Sequence, residues 1–244
     1  MTALLELEGI HKAFGRVVVA DDLSFSLARG ETLGVVGPNG AGKTSVLNLI
    51  TGNLPLDRGR ILLDGADIST VASHDRARLG IARTFQIPLP FAGLTVFENV
   101  LLAATYAGAR RPEGGDSTSI SSDALERTQL LPRANVMAES LPLLDRKRLE
   151  LARALAARPR LLLLDEIAGG LAEPEVDALT DTIRGLKADG LTILWIEHIV
   201  EALLSVVDRL IAMDVGRKLA EGAPREVLAR SEVQAVYLGQ EAMA

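Results

Sequence analysis

Gly37-Pro38-Asn39-Gly40-Ala41-Gly42-Lys43-Thr44 lies between a short apolar run, Thr32-Leu33-Gly34-Val35-Val36, and a stretch of helical character from Thr44 to Ile50. Two glycines five residues apart, followed at once by Lys and Thr, form the phosphate-loop pattern. The chemistry accounts for each part. Glycines let the backbone curl so that successive N–H groups face phosphate oxygens, and the helix that follows presents its positive end to them. Lys43 can reach terminal phosphates, Thr44 can ligate Mg²⁺, and Ser45 stands in the first helical turn beside them. The alternative is a glycine-rich strand-to-helix turn that holds no ligand.

A loop of this kind serves many nucleotides, so residues elsewhere must choose the reaction. Leu161-Leu162-Leu163-Leu164-Asp165-Glu166 reads as a buried central strand ending in an acidic pair. Parallel sheets bind ligands at their strand ends, so this pair is expected beside the phosphate loop. Asp165 would hold Mg²⁺ and Glu166 would polarise an attacking water; the plainer reading is an acidic strand cap. Ile193-Leu194-Trp195-Ile196-Glu197-His198 is a second strand with a polar end. A lone histidine is often structural, but the end of a neighbouring strand points His198 towards a γ-phosphate.

Around these motifs the chain alternates strand and helix patterns, which indicates an α/β fold. The first thirty residues read as strands, Arg60–Asp64 as half a hairpin, and a more helical, polar region extends from about 74 to 157. Gly108–Ser122 is low in complexity and reads as an exposed linker. Helical pattern is expected again at 123–131 and 146–157, then strand 161–165, helix 174–188, strand 191–197, helix 199–207, strands over 209–221 and a last helix from Pro224. The run Arg146-Lys147-Arg148 reads as a solvated helix face, or one turned towards a partner.

Of 244 residues 48% are hydrophobic, enough for a sizeable core, and there is no cysteine, so disulfides and thiolate sites are excluded. With 26 Lys and Arg against 32 Asp and Glu, the net charge of -6 argues against nucleic acid as a partner. The apolar runs are strand-length and the N-terminus lacks a signal-peptide pattern, so any membrane role is expected to be peripheral.

These elements, with Gln86 in Ala82-Arg83-Thr84-Phe85-Gln86 and Phe14 upstream, resemble the nucleotide-binding subunits of ABC transporters nearly end to end. The wording of LGIARTFQ (79–86), LTVFENVLLAA (94–104), RLELARAL (148–155) and GRKLAEGAPREVL (216–228) is similar to importer ATPases for branched-chain amino acids and related small amides. The resemblance implies a P-loop NTPase cassette with an antiparallel β subdomain, an α/β core over 1–85 and 160–244, and a helical subdomain over about 86–159. It also implies ATP with Mg²⁺, Gln86 touching the metal and the water, Phe14 stacked on adenine, and His198 orienting the γ-phosphate. Core packing is the other reading of Phe14.

In that family two cassettes meet head to tail, each ATP lying between one subunit's phosphate loop and the other's Leu-Ser-Gly-Gly-Gln signature. Here the matching segment is Leu141-Pro142-Leu143-Leu144-Asp145. Proline replaces a hydroxyl, leucines replace glycines, and an acid replaces an amide; Asp145 at contact distance would repel a γ-phosphate by about 1 to 4 kcal/mol. Ile167 and Ala172 also depart, where the family has proline and Asp or Asn. The altered pieces act on the partner's ATP, whereas the residues acting on this chain's own ATP are present. The expectation is a heterodimer with a second ATPase of ordinary signature, two transmembrane permease subunits and a solute-binding protein, at the cytoplasmic face of the inner membrane. Two competing readings are a soluble ABC-type ATPase and a regulatory ATP-binding subunit. A small-molecule kinase would not account for Gln86, the acidic pair and His198 together.

Overall fold

Leu161–Leu164 form a strand with every residue buried, and their alternation divides the molecule's core in two. Successive side chains on a strand point to opposite faces. Leu161 and Leu163 join one apolar cluster with Leu5, Leu33 and Leu47, while Leu162 and Leu164 join another with Trp195, Leu149 and Ile183. The computed structural model describes residues 3–108 and 116–241.

In chain order the elements are β1 (Ala3–Phe14), β2 (Val17–Ala28), β3 (Thr32–Val36), α1 (Lys43–Thr51), β4 (Arg58–Leu63), β5 (Ala66–Asp67), α2 (Ser73–Arg78) and β6 (Ile81–Arg83). There follow α3 (Val96–Gly108), α4 (Ser117–Arg127), α5 (Leu143–Ala156), β7 (Leu161–Asp165), α6 (Glu173–Ala188), β8 (Thr192–Ile196) and α7 (Val200–Leu204). The chain then forms β9 (Arg209–Asp214), β10 (Arg217–Gly222), α8 (Pro224–Leu228) and α9 (Ser231–Glu241). A four-stranded antiparallel sheet has the order β2-β1-β4-β5, and a six-stranded sheet the order β10-β9-β3-β8-β7-β6. In the larger sheet β3, β6, β7, β8 and β9 are parallel, and β10 runs antiparallel at the edge. One apolar cluster joins α1 to both sheets, and helices α3, α4, α5 and α6 pack in the other.

That strand order positions the chemistry. The neighbours β3, β8, β7 and β6 all run the same way, so the phosphate loop, His198, the acidic pair and Gln86 leave the sheet at one edge, in that spatial order. The expected neighbourhood of the histidine strand and the acidic strand holds, with Asp165 paired in register with Ile196.

Four expectations change. Ile81–Arg83 is a parallel edge strand inside the region read as helical, too short to show alternation. Helix α4 begins at Ser117, six residues before the expected start, because Asp116 caps it by accepting from the backbone N–H groups of Thr118 and Ser119. Of the stretch read as a linker, 109–115 lies outside the described residues and 117–122 is helical. The chain from Pro224 forms two helices, α8 and α9.

Candidate active site

The backbone of the phosphate loop is held by its neighbours as well as by its glycines. Gly42 has φ +95°, and a Cβ there would stand 2.2 Å from the Val19 carbonyl oxygen. The Gly216 N–H donates to the Ala41 carbonyl at 2.9 Å, closing the loop against the β9–β10 turn. Lys43, at the start of α1, is buried, and its Nζ donates to the carbonyl oxygens of Gly37 at 2.7 Å and Pro38 at 2.9 Å. Burial pushes the Lys43 ammonium below the usual lysine range, against the opposing fields of Glu166 and Asp165. Thr44 follows, its hydroxyl 3.4 Å from Asp165 Oδ1, and Asn39 and Gly40 at the loop's tip are exposed.

Asp165 ends β7, and the next residue turns sharply. Glu166 adopts φ +44°, a left-handed conformation that costs a non-glycine residue roughly 1 to 3 kcal/mol, and its N–H donates to the Ile196 carbonyl at 2.9 Å. Such strain is tolerated where the surroundings impose it, and here it aims the carboxylate out of the sheet. Gln86 Nε2 donates to Glu166 Oε2 at 2.6 Å, so two residues 80 positions apart meet at the sheet edge. His198 follows β8 with its ring more than half exposed, and Gly169 of the loop after Glu166 lies beside it.

Phe14 is 54% exposed at the end of β1, with Lys12 Nζ 5.4 Å from its ring centre. Core packing is therefore excluded, and the ring is free to stack. Alanine substitution of a base-stacking aromatic costs about 1 to 3 kcal/mol. Phe14→Ala should therefore weaken ATP binding by roughly 5- to 150-fold without lowering the melting temperature; fluorescence titration with an ATP analogue would measure it, and unchanged affinity would exclude stacking.

Three residues important to this geometry carry no role in the sequence reading. Arg83, at the end of β6, pairs its guanidinium with Asp165 Oδ2 at 2.7 Å and with Asn48 Oδ1 at 2.6 Å. Nothing in the sequence marked it, because the short strand that carries it lies in the region read as helical. Glu197 is fully buried; Oε2 accepts from the Ala168 N–H at 3.0 Å, while Oε1 accepts from the His198 N–H and lies 3.0 Å from His198 Nδ1. It joins the loop after Glu166 to the histidine and orients the ring. Lys147 is 2% exposed, and its Nζ donates to the Gln86 carbonyl at 2.5 Å.

Lys147 also corrects the reading of Arg146-Lys147-Arg148 as a solvated face. Arg146 donates to the carbonyls of Leu141 and Glu139, and Arg148 reaches Gln129. The run packs inward because α5 is covered by β6, α3, α4 and α6.

The 141–145 segment leads into α5. Leu141 is buried, Pro142 is the N-cap with no side-chain hydrogen bond, and Leu143 is exposed. Asp145 differs from expectation. It is 6% exposed and its carboxylate lies against Arg133 at 2.9 Å and Arg148 at 3.4 Å. Its charge is neutralised inside the helical layer, so the expected repulsion of a γ-phosphate does not arise, and the outward group is the leucine. Ala172 is the exposed N-cap of α6; Glu175 accepts from its N–H at 2.9 Å, but alanine offers no side chain in return.

Among the described residues no helix is long and apolar enough to cross a membrane. Residues 20–169 match the family model described as ABC transporter. The chain is 34% identical to the high-affinity branched-chain amino acid transport ATP-binding protein BraF of Pseudomonas aeruginosa, with 97% of this chain and 98% of that one covered. It is also 34% identical to the lipopolysaccharide export system ATP-binding protein LptB of Escherichia coli, covering 98% of each. Its fold superposes on the ADP conformation of MJ1267, an ATP-binding cassette of an ABC transporter, with TM-score 0.88 and 30% identity over 98% of this chain and all of that one.

Proposed function

This chain belongs to the ABC transporter family of ATP-hydrolysing cassettes, and we propose that it powers a membrane importer of branched-chain amino acids or related small amides as one half of an unequal ATPase pair. The observation that carries the reading is the row of Lys43, His198, Asp165, Glu166 and Gln86 along four adjacent parallel strand ends, together with a signature-position segment whose exposed side chain is Leu143. In this reading the chain contains the catalytic half of its own ATP site and a weak complement to its partner's.

Lys43 and the backbone N–H groups of residues 37 and 39–45 bind the phosphates, and Phe14 takes the adenine. Glu166 accepts a proton from the attacking water, Gln86 holds the Glu166 carboxylate and the water in line, and Glu197 fixes the ring of His198 towards the γ-phosphate. Thr44, Asp165 and Gln86 supply the hard oxygen donors that Mg²⁺ requires, and the ion, when bound, neutralises charge on the phosphates. Arg83 occupies only one carboxylate oxygen of Asp165, leaving Oδ1 on the Thr44 side for that role.

The partners in this proposal are a second ATPase with an ordinary signature, two transmembrane permeases and a solute-binding protein, with the cassette on the cytoplasmic face of the inner membrane. Phe85, Ile87, Leu89 and Phe91 are exposed in sequence beside Gln86, an apolar patch that favours a permease over a soluble, transporter-free role. Likeness to BraF and to the LivG proteins supports an amino-acid cargo. Residues 86–159 form the helical arm in this scheme and 1–85 with 160–244 the core.

The test is reconstitution. The purified chain alone should show turnover close to background, and mixing with the partner ATPase and permeases should raise it at least tenfold. Cooperative hydrolysis by the chain alone would overturn the unequal-pair reading.

A further inference from the structure

Lys147, Glu150 and Arg153 stand three residues apart on α5 and therefore share one face of the helix. All three hold the same short segment. Lys147 Nζ donates to the Gln86 carbonyl at 2.5 Å. Glu150 Oε1 accepts from the Leu89 N–H at 3.2 Å and from Arg153 at 2.6 Å. Arg153 in turn donates to the Leu89 carbonyl at 3.1 Å and lies 5.0 Å from the centre of the Phe91 ring. Between these rungs Ile87 and Leu89 project outward, 69% and 74% exposed. The first rung also bears on the chemistry, because the residue whose carbonyl Lys147 holds is the one whose amide holds Glu166.

We propose that Lys147, Glu150 and Arg153 are positioning residues that lock segment 86–91 onto α5, so that Gln86 meets Glu166 only with the helix in place. The inference rests on the reading of Glu166 as the base and deepens it by naming what delivers Gln86. A lysine is a poor choice for this position if stability alone were at stake. Its ammonium is buried, with Glu197, Glu166 and Glu150 as the surrounding carboxylates and Arg153 on the same helix face. Replacing buried charge by an apolar side chain of like volume is often neutral or stabilising.

The experiment compares Lys147→Met, Lys147→Arg and the parent chain, each alone and assembled with its partner ATPase and permeases. Hydrogen exchange of the 86–91 amides, ATP affinity, melting temperature and steady-state ATP turnover are the readouts. The expected result for Lys147→Met is exchange at 86–91 at least tenfold faster and kcat at least tenfold lower, with KM for ATP and melting temperature within experimental spread of the parent. Lys147→Arg should recover kcat to within threefold, because a cation able to donate to the Gln86 carbonyl is restored. Unchanged exchange overturns the ladder, and faster exchange with unchanged kcat overturns its positioning role. Loss of ATP affinity together with faster exchange throughout the chain would mean general unfolding, and also overturns it. Glu166→Gln in the same assembly separates the two levels: if that variant turns over normally, the reading of Glu166 fails while the exchange arm still judges the ladder.

Discussion

Glu166→Gln should leave the assembled transporter able to bind ATP and lower its turnover by about 10²- to 10⁴-fold, the usual worth of a general base. The substitution is close to isosteric. An amide oxygen can accept the bond that Glu166 Oε2 now accepts from Gln86 at 2.6 Å, so the position of the side chain is preserved while its basicity is lost. The backbone strain at φ +44° is the same for both residues, and the N–H bond to the Ile196 carbonyl needs no side chain. Stability should therefore change little, which separates chemistry from folding. Phosphate release and ATP binding measured on one preparation would test it. Undiminished phosphate release or uptake would assign hydrolysis to the partner's site and reverse the proposed division of labour.

That division depends on how the two halves of the sequence become legible. The phosphate loop reads directly because its chemistry is local: glycines, lysine and threonine must be contiguous to wrap a phosphate, and the strand and helix on either side are adjacent in sequence. The acidic strand was legible for a similar reason, since four buried leucines leave only the strand end for polar work. Arg83, Glu197 and Lys147 were not, because each acquires its role from a residue far away: Asp165 for Arg83, Ala168 for Glu197, Gln86 for Lys147. Charge in a sequence suggests solvent, and only tertiary pairing shows when a charge has been taken inside.

Asp145 shows the limit from the other side. Sequence alignment to a motif gives a residue's place along the chain but not its direction on the helix. Here the direction, towards Arg133 and Arg148, reverses the inferred electrostatics. The departure that matters at 141–145 is then steric and dipolar. Leucines at the first turn of α5 stand where backbone N–H groups would otherwise approach an anion, and Pro142 offers no hydroxyl. The proposed unequal pair therefore needs no charge repulsion.

Arg83→Met should be the most destabilising single change at the site. The guanidinium and the Asp165 carboxylate are 6% and 5% exposed and 2.7 Å apart, so water cannot replace a missing partner at either. Removing one member of a buried pair leaves an uncompensated charge, at a cost of about 3 to 5 kcal/mol, or roughly 6 to 20 °C in melting temperature for a domain of this size. Asn48 loses its donor as well, since its Oδ1 accepts from Arg83 at 2.6 Å. The double variant Arg83→Met with Asp165→Asn supplies the control. With neither member of the buried pair charged, it should recover at least half of the lost stability, although it sacrifices the proposed Mg²⁺ ligand and with it ATP turnover. Thermal melts of the two single variants and the double one form a complete cycle. A coupling energy near zero, or Arg83→Met melting within 2 °C of the parent, would mean that the pair does not hold this edge of the sheet. A large coupling would mean that the carboxylate intended for the metal is held by an internal cation before any nucleotide arrives, with Thr44 on its other oxygen.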